Sequence, residues 1–144
     1  MAANKRSLDT TASPERVWSI WSDTSNWPDW NHDMESVSLA GAFASGTTGT
    51  MRTRSGGQHS VILEDVVPGR AFTVNSDGMP ATRLRFRCEV EAAGSGSRIS
   101  QSVTLSGPLA WLFTPMAGGR IADTFPALLR GLATAAEKEP PASG

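Results

Sequence analysis

Hydrophobic and polar positions along the chain change period twice, and each change predicts a change of element. From Ser13, the run Ser-Pro-Glu-Arg-Val-Trp-Ser-Ile-Trp places Val17, Ile20 and Trp21 at i, i+3 and i+4, one apolar helical stripe with Trp18 at its margin. Ser13 suits the N-cap and Pro14 the first helical position. Residues 24 to 33, rich in Asn, Asp and Pro, predict a short helical turn and then a loop bearing Trp27 and Trp30. From about residue 34 to 106 the period is two, divided by turn signals at Gly41 to Gly46, Ser55-Gly56-Gly57, Pro68-Gly69, Asp77 to Pro80 and Ala93 to Gly96. Six strands fit between these turns, with a seventh at the sheet edge from residues 4 to 10.

The clearest strand turns Leu84, Phe86, Cys88 and Val90 one way and Arg85, Arg87, Glu89 and Glu91 the other. Its neighbour puts Ile99, Gln101, Val103 and Leu105 on the covered face, so Gln101 is a polar side chain expected inside. On this register Phe86→Ala is expected to cost about 3–5 kcal/mol and Arg87→Ala no more than about 0.5 kcal/mol. After Ser106-Gly107-Pro108 the period turns helical, through Leu109, Leu112, Phe113 and Met116 and then Ile121, Phe125, Leu128, Leu129 and Leu132. An interior proline costs a helix about 3 kcal/mol, so a break is expected near Gly118-Gly119. Beyond it the choice is a kink at Pro126 or a restart capped by Asp123 or Thr124. The predicted class is α+β: a curved seven-stranded antiparallel sheet wrapped around a long C-terminal helix, with two short helices after strand 1. Residues 1–138 are expected to form one domain and residues 139–144 a disordered tail.

Composition narrows the chemistry. With 144 residues, 39% hydrophobic and 19% charged, one domain can hide about 70% of its unfolded surface, enough for a core with a cavity beside it. The formal net charge of −1 argues against nucleic acid as a partner. Cys88 is the only cysteine, which excludes an intrachain disulfide and multi-cysteine zinc sites. No apolar run approaches the roughly 20 residues of a membrane span, so a soluble, cytoplasmic chain without stable membrane insertion is expected. Self-association as a homodimer stays open. There is no tyrosine to act as an acid or an oxyanion donor.

Several segments in order resemble one family: the Ser-Pro-Glu-Arg-Val-Trp helix, Trp27-Pro28-Asp29-Trp30-Asn31 leading into Val37 to Gly41, Val67-Pro68-Gly69-Arg70-Ala71-Phe72, the Leu84-Arg85-Phe86 strand, and Val103 to Leu109. Together they resemble the polyketide cyclase/dehydrase-like members of the START/Bet v 1-like (SRPBCC) superfamily. That resemblance implies a helix-grip fold with a deep, mostly apolar cavity between the sheet and the C-terminal helix. Relatives often carry histidine at the inward positions held here by Cys88 and Gln101, so a histidine acid or base is absent from both.

The candidate lining residues are Trp30, Met51, His59, Phe72, Phe86, Cys88 and Gln101 from the sheet side, and Trp111, Phe113, Met116, Ile121 and Phe125 from the C-terminal arm. Of the two histidines, His59 shares parity with Val61 and Leu63, while His32 lies in a loop. Cys88 inside a strand predicts an inert, small hydrophobe. Gln101 brings two donors and two acceptor sites that something must satisfy. Arg83, Arg85 and Arg87, continued by Glu89 and Glu91, predict a solvated outer face with cross-strand ion pairs. The function that follows is binding of a small, mainly apolar ligand, lipid-like or polyketide-like, with no metal or nucleotide cofactor. One alternative is a cyclase/dehydratase-type enzyme acting in the same cavity. A second alternative, a protein-interaction module without ligand, requires Trp27 and Trp30 on the surface.

Overall fold

The computed structural model describes residues 5–31, 33–54, 57–79, 82–115 and 119–138. The seven predicted strands are β1 (Lys5–Thr10), β2 (Met34–Leu39), β3 (Thr48–Thr53), β4 (Gly57–Val67), β5 (Ala71–Met79), β6 (Thr82–Ala93) and β7 (Gly96–Ser106). They pair antiparallel in the order β1-β7-β6-β5-β4-β3-β2, so the first strand closes the far edge against the last. Register shifts between Glu64 and Val67, with Asp65 at φ 47°, and between Asp77 and Met79 mark bulges. Bulges bend strands and raise their twist, which helps curl this sheet into a trough.

Helix α1 (Pro14–Trp21) starts as its sequence predicts: the Ser13 hydroxyl accepts the Arg16 N–H at 3.1 Å, and Val17, Ile20 and Trp21 are buried. A 3-10 turn (Thr24–Asn26) and the single-turn helix α2 (Trp27–Trp30) follow. The C-terminal arm is divided into α3 (Ala110–Phe113), α4 (Gly119–Ala122) and α5 (Phe125–Glu137). Of the two expected outcomes at Pro126 the chain takes the restart, with Thr124 at the N-cap position and Pro126 in the first turn. Thr124 does not cap with its side chain, however; its hydroxyl donates to the Ile121 carbonyl at 2.7 Å. The tail from residue 139 onward lies outside the described residues.

Helix α5 lies along the concave face, with Phe125, Leu129, Leu132, Ala133 and Ala136 buried in one core with the inward strand residues. Its approach to α2 is close. A Cβ built on Gly131 would stand 2.3 Å from the Trp30 carbonyl oxygen, so only glycine fits there. At its far end the Arg16 guanidinium donates to the carbonyls of Ala136 (3.2 Å) and Lys138 (3.3 Å), occupying helix-terminal acceptors that lack a partner within the helix. On the convex face Arg85 lies 3.4 Å from Glu64, Arg87 lies 3.7 Å from Glu89, and Arg83 donates to Asn75 at 2.8 Å. This outer face is a network of neighbouring charges.

Candidate ligand cavity

Between the concave face and the α4–α5 arm lies a cavity of about 620 Å³. That lies inside the span of about 300–1,000 Å³ that small-molecule pockets occupy. Strand parity builds the floor: Met51 on β3, His59 on β4, Val74 and Ser76 on β5, Leu84 and Phe86 on β6, and Gln101 on β7. Ile121, Phe125 and Leu128 come from the arm, and Trp27, Trp30, Asn31 and Asp33 close one side. Phe86 and Phe125 meet edge to face with ring centroids 6.4 Å apart, linking floor and arm. Both indole donors are used by the fold, Trp27 Nε1 on the Trp21 carbonyl at 2.9 Å and Trp30 Nε1 on Asn26 Oδ1 at 3.3 Å.

Besides Asn31, Asp33, Thr53 and Thr124 near its sides, the cavity has polar groups on the sheet floor at His59, Ser76, Asp77 and Gln101. His59 Nδ1 lies 3.9 Å from Asp77 Oδ1, too far for a hydrogen bond, and becomes an ion-pair partner only when protonated. The same Asp77 oxygen accepts the Ser60 backbone N–H at 3.0 Å. Gln101 is 8% exposed, and its side chain makes no hydrogen bond with any described residue. Because no fully enclosed polar side-chain atom among the described residues lacks a partner, the Gln101 amide is open to the cavity. Ser76, 1% exposed, spends its hydroxyl proton on the Asp77 carbonyl at 2.8 Å.

Of the residues the sequence puts forward, the cavity gathers Trp30, Met51, His59, Phe86, Gln101, Ile121 and Phe125. It does not gather Phe72, Cys88, Trp111 or Phe113. Phe72 shares inward parity with the floor, but α1 and the β2–β3 loop cover it. Its ring lies 5.2 Å from Trp21 and 5.0 Å from Phe43, centroid to centroid, in a packed aromatic cluster. Cys88 is buried beside it, and burial pushes its thiol up to about 12, with smaller opposing effects of Arg87, which lowers it, and Glu89, which raises it. Trp111 is 74% exposed because the single turn of α3 packs Ala110 and Phe113 against the core and turns the positions between them outward. Phe113 is half-buried in that core contact. Met116 and His32 lie outside the described residues.

Sequence reasoning missed Val74 and Ser76, although both share the inward parity of Phe72. Asn31, Asp33 and Asp77 come from a loop and a bulged strand end, where periodicity is silent. Trp27 and Trp30 are buried, at 6% and 5% exposure, so the surface patch an interaction module requires is not formed by them. Among the described residues, no three His, Cys, Asp or Glu side chains gather as a metal site, and no helix is long and apolar enough to cross a membrane.

Comparison with known proteins agrees with this architecture. The family described as polyketide cyclase / dehydrase and lipid transport matches residues 1–137. No curated protein sequence matches the chain. Among solved structures, Ara h 8.0201 is similar with a TM-score of 0.74 at 13% identity, covering 92% of this chain and 95% of that one. TTHA0849 from Thermus thermophilus is similar with a TM-score of 0.69 at 16% identity, covering 92% and 94%. Norcoclaurine synthase from Thalictrum flavum, in complex with dopamine and hydroxybenzaldehyde, gives a TM-score of 0.68 at 16% identity, covering 94% and 87%. With the sheet order, the C-terminal arm and the family match in agreement, the chain belongs to the polyketide cyclase/dehydrase and lipid-transport family of the START/Bet v 1-like (SRPBCC) superfamily.

Proposed function

We propose that the chain binds one small, mainly apolar molecule, lipid-like or polyketide-like, in the cavity between the sheet and the C-terminal arm. The observation that carries this reading is the cavity of about 620 Å³ left open inside an otherwise packed core, walled by Trp30, Val74, Leu84, Phe86 and Phe125. Burial of a ligand against such walls is driven by removal of apolar surface from water. The family description includes lipid transport, and the norcoclaurine synthase of similar fold was solved with two small aromatic molecules, which supports a ring-bearing ligand.

Titration with the neutral probe N-phenyl-1-naphthylamine tests the proposal. Saturable, one-to-one probe fluorescence with quenching of tryptophan emission is the expected result. Leu84→Trp, which places bulk in the cavity from a half-buried position, should abolish binding and keep the cooperative unfolding transition. Undiminished binding in that variant would place the probe elsewhere and overturn the reading.

A cyclase- or dehydratase-type reaction in the same cavity is the second reading, favoured by His59 with Asp77 3.9 Å from its Nδ1. In that reading His59 takes a proton from carbon next to a ligand carbonyl and returns one from solvent. Deuterium uptake into bound 2-acetylnaphthalene in heavy water, lost in His59→Asn while probe binding persists, is its signature. No uptake above the protein-free rate leaves the binding function alone.

A further inference from the structure

The charge of the lining residues narrows the ligand class beyond apolar. This step rests on the cavity-binding reading above. Among the described residues that line the cavity the ionisable groups are Asp33, His59 and Asp77, and none is Lys or Arg. The residues outside the described set contain no Lys or Arg either. A carboxylate or phosphate drawn into this space would leave water for two carboxylates and a histidine, without a permanent cation to meet it. Buried charges persist only when paired, so an anionic amphiphile is opposed at physiological pH.

Inside the same space the buried amide without a partner is that of Gln101, 8% exposed and open to the cavity, while the Asn31 amide, half-buried, already accepts from the Asp33 N–H through its oxygen. Neither indole lining the cavity has a free donor, Ser76 has given its proton to a backbone carbonyl, and the His59 ring, 22% exposed, is less buried than Gln101 and stands beside Asp77. A ligand carbonyl accepts from the Gln101 NH2, and a ligand hydroxyl donates to its carbonyl. A pure hydrocarbon would leave a buried amide unsatisfied. We propose that the ligand is an uncharged, carbonyl- or hydroxyl-bearing molecule whose oxygen pairs with Gln101, and that Gln101 is the residue that discriminates it from hydrocarbons and from fatty-acid-like anions.

Three probes sharing one ring system separate the terms: 2-acetylnaphthalene (neutral, with a carbonyl), 2-ethylnaphthalene (no oxygen) and 2-naphthoate (anionic). Each is titrated at pH 7.5 by displacement of N-phenyl-1-naphthylamine. The ketone should bind about tenfold or more tightly than naphthoate. In Gln101→Leu, similar in size but without hydrogen-bonding atoms, ketone affinity should fall about fivefold to tenfold while ethylnaphthalene affinity holds or rises, because the amide it left unsatisfied is gone. Undiminished ethylnaphthalene binding shows that the variant cavity is intact, and Gln101→Met serves if the leucine variant does not fold. Naphthoate binding as tightly as the ketone, or a Gln101 substitution that moves ketone and hydrocarbon alike, overturns this inference and leaves the cavity reading standing. Failure of all three probes removes the cavity reading and this one with it.

Discussion

Cys88 sits in the inward row between Phe72 of β5 and Gln101 of β7, and burial pushes its thiol up to about 12 from an ordinary 9.0. The folded state therefore holds its proton where the unfolded chain releases one. Stability contributed by the neutral thiol is present below 9.0 and is lost as pH rises through the interval up to about 12. Above the lower value the parent should lose stability by up to ~1.4 kcal/mol per pH unit relative to Cys88→Ala. Urea unfolding of both proteins at pH 8 and pH 10 measures this; equal changes would mean the thiol is not shielded. In the native state it should also resist an aromatic disulfide reagent at pH 8, reacting only after denaturation. The aromatic rings sort in the same way. Phe72→Ala removes a ring that is 1% exposed inside the aromatic cluster and should cost about 3–5 kcal/mol. Phe86 is half-buried with one side on the cavity, so its truncation should cost less, about 2 kcal/mol, which lowers the value that parity alone suggests. Arg87 moves the other way. It donates to the Asp65 carbonyl at 3.0 Å and the Thr73 hydroxyl at 3.1 Å, so Arg87→Ala should cost about 1 kcal/mol.

At the scale of elements, the C-terminal arm is where propensity and packing disagree. Alanine is a better helix former than glycine by about 1 kcal/mol, so propensity alone makes Gly131→Ala stabilising. Contact with the Trp30 carbonyl reverses the sign, because a Cβ 2.3 Å from that oxygen forces α5 away from α2. A net loss of about 1–3 kcal/mol in chemical denaturation is expected, typical of overpacking. A gain would show that the helices separate freely. Thr124→Ala, in contrast, should cost only about 0.5 kcal/mol, since no side-chain capping bond is lost and the bond its hydroxyl gives to the Ile121 carbonyl is exposed to water. The restart before α5 was legible from Pro126, which cannot sit in a helix interior, while the break expected near Gly118-Gly119 falls at the edge of the described residues, with Gly118 outside them and Gly119 opening α4. The outward turn of Trp111 was not. Over one helical turn the stripe is set by which positions meet the core, here Ala110 and Phe113.

Over the whole molecule, the trough supplies more apolar surface than its core uses, and the two ends of the sheet spend it differently. Toward α1 the inward face meets Trp18, Trp21, Phe43 and Phe72 in mutual edge-to-face contacts and is filled. Toward α4 the same face meets a short, interrupted helix, and the cavity remains. A ligand held only by the folded state should stabilise it by mass action, about 2.7 kcal/mol at one hundred times its dissociation constant. Differential scanning calorimetry with 2-acetylnaphthalene should accordingly show a melting temperature that keeps rising with ligand concentration. A melting temperature indifferent to a ligand that binds would mean the unfolded chain takes it up equally well.

Local sequence dictates the alternation of period two and period 3.6, the turns between strands, the cap at Ser13 and the break before α5, because each depends on neighbours a few residues apart. Parity likewise told that Gln101 faces inward and that Arg85 and Arg87 lie on the outer face, since a strand has only two sides. Tertiary structure alone decided which inward residues became core and which became cavity wall. Phe72 and Phe86 have the same parity and chemistry, and differ only in what the chain brings over them: α1 and Phe43 above one, open volume beside the other. Asp33 and Asp77 joined the wall by the same long-range placement, from segments without periodicity. A cavity is a shortage of atoms between distant segments, and no local pattern encodes that shortage.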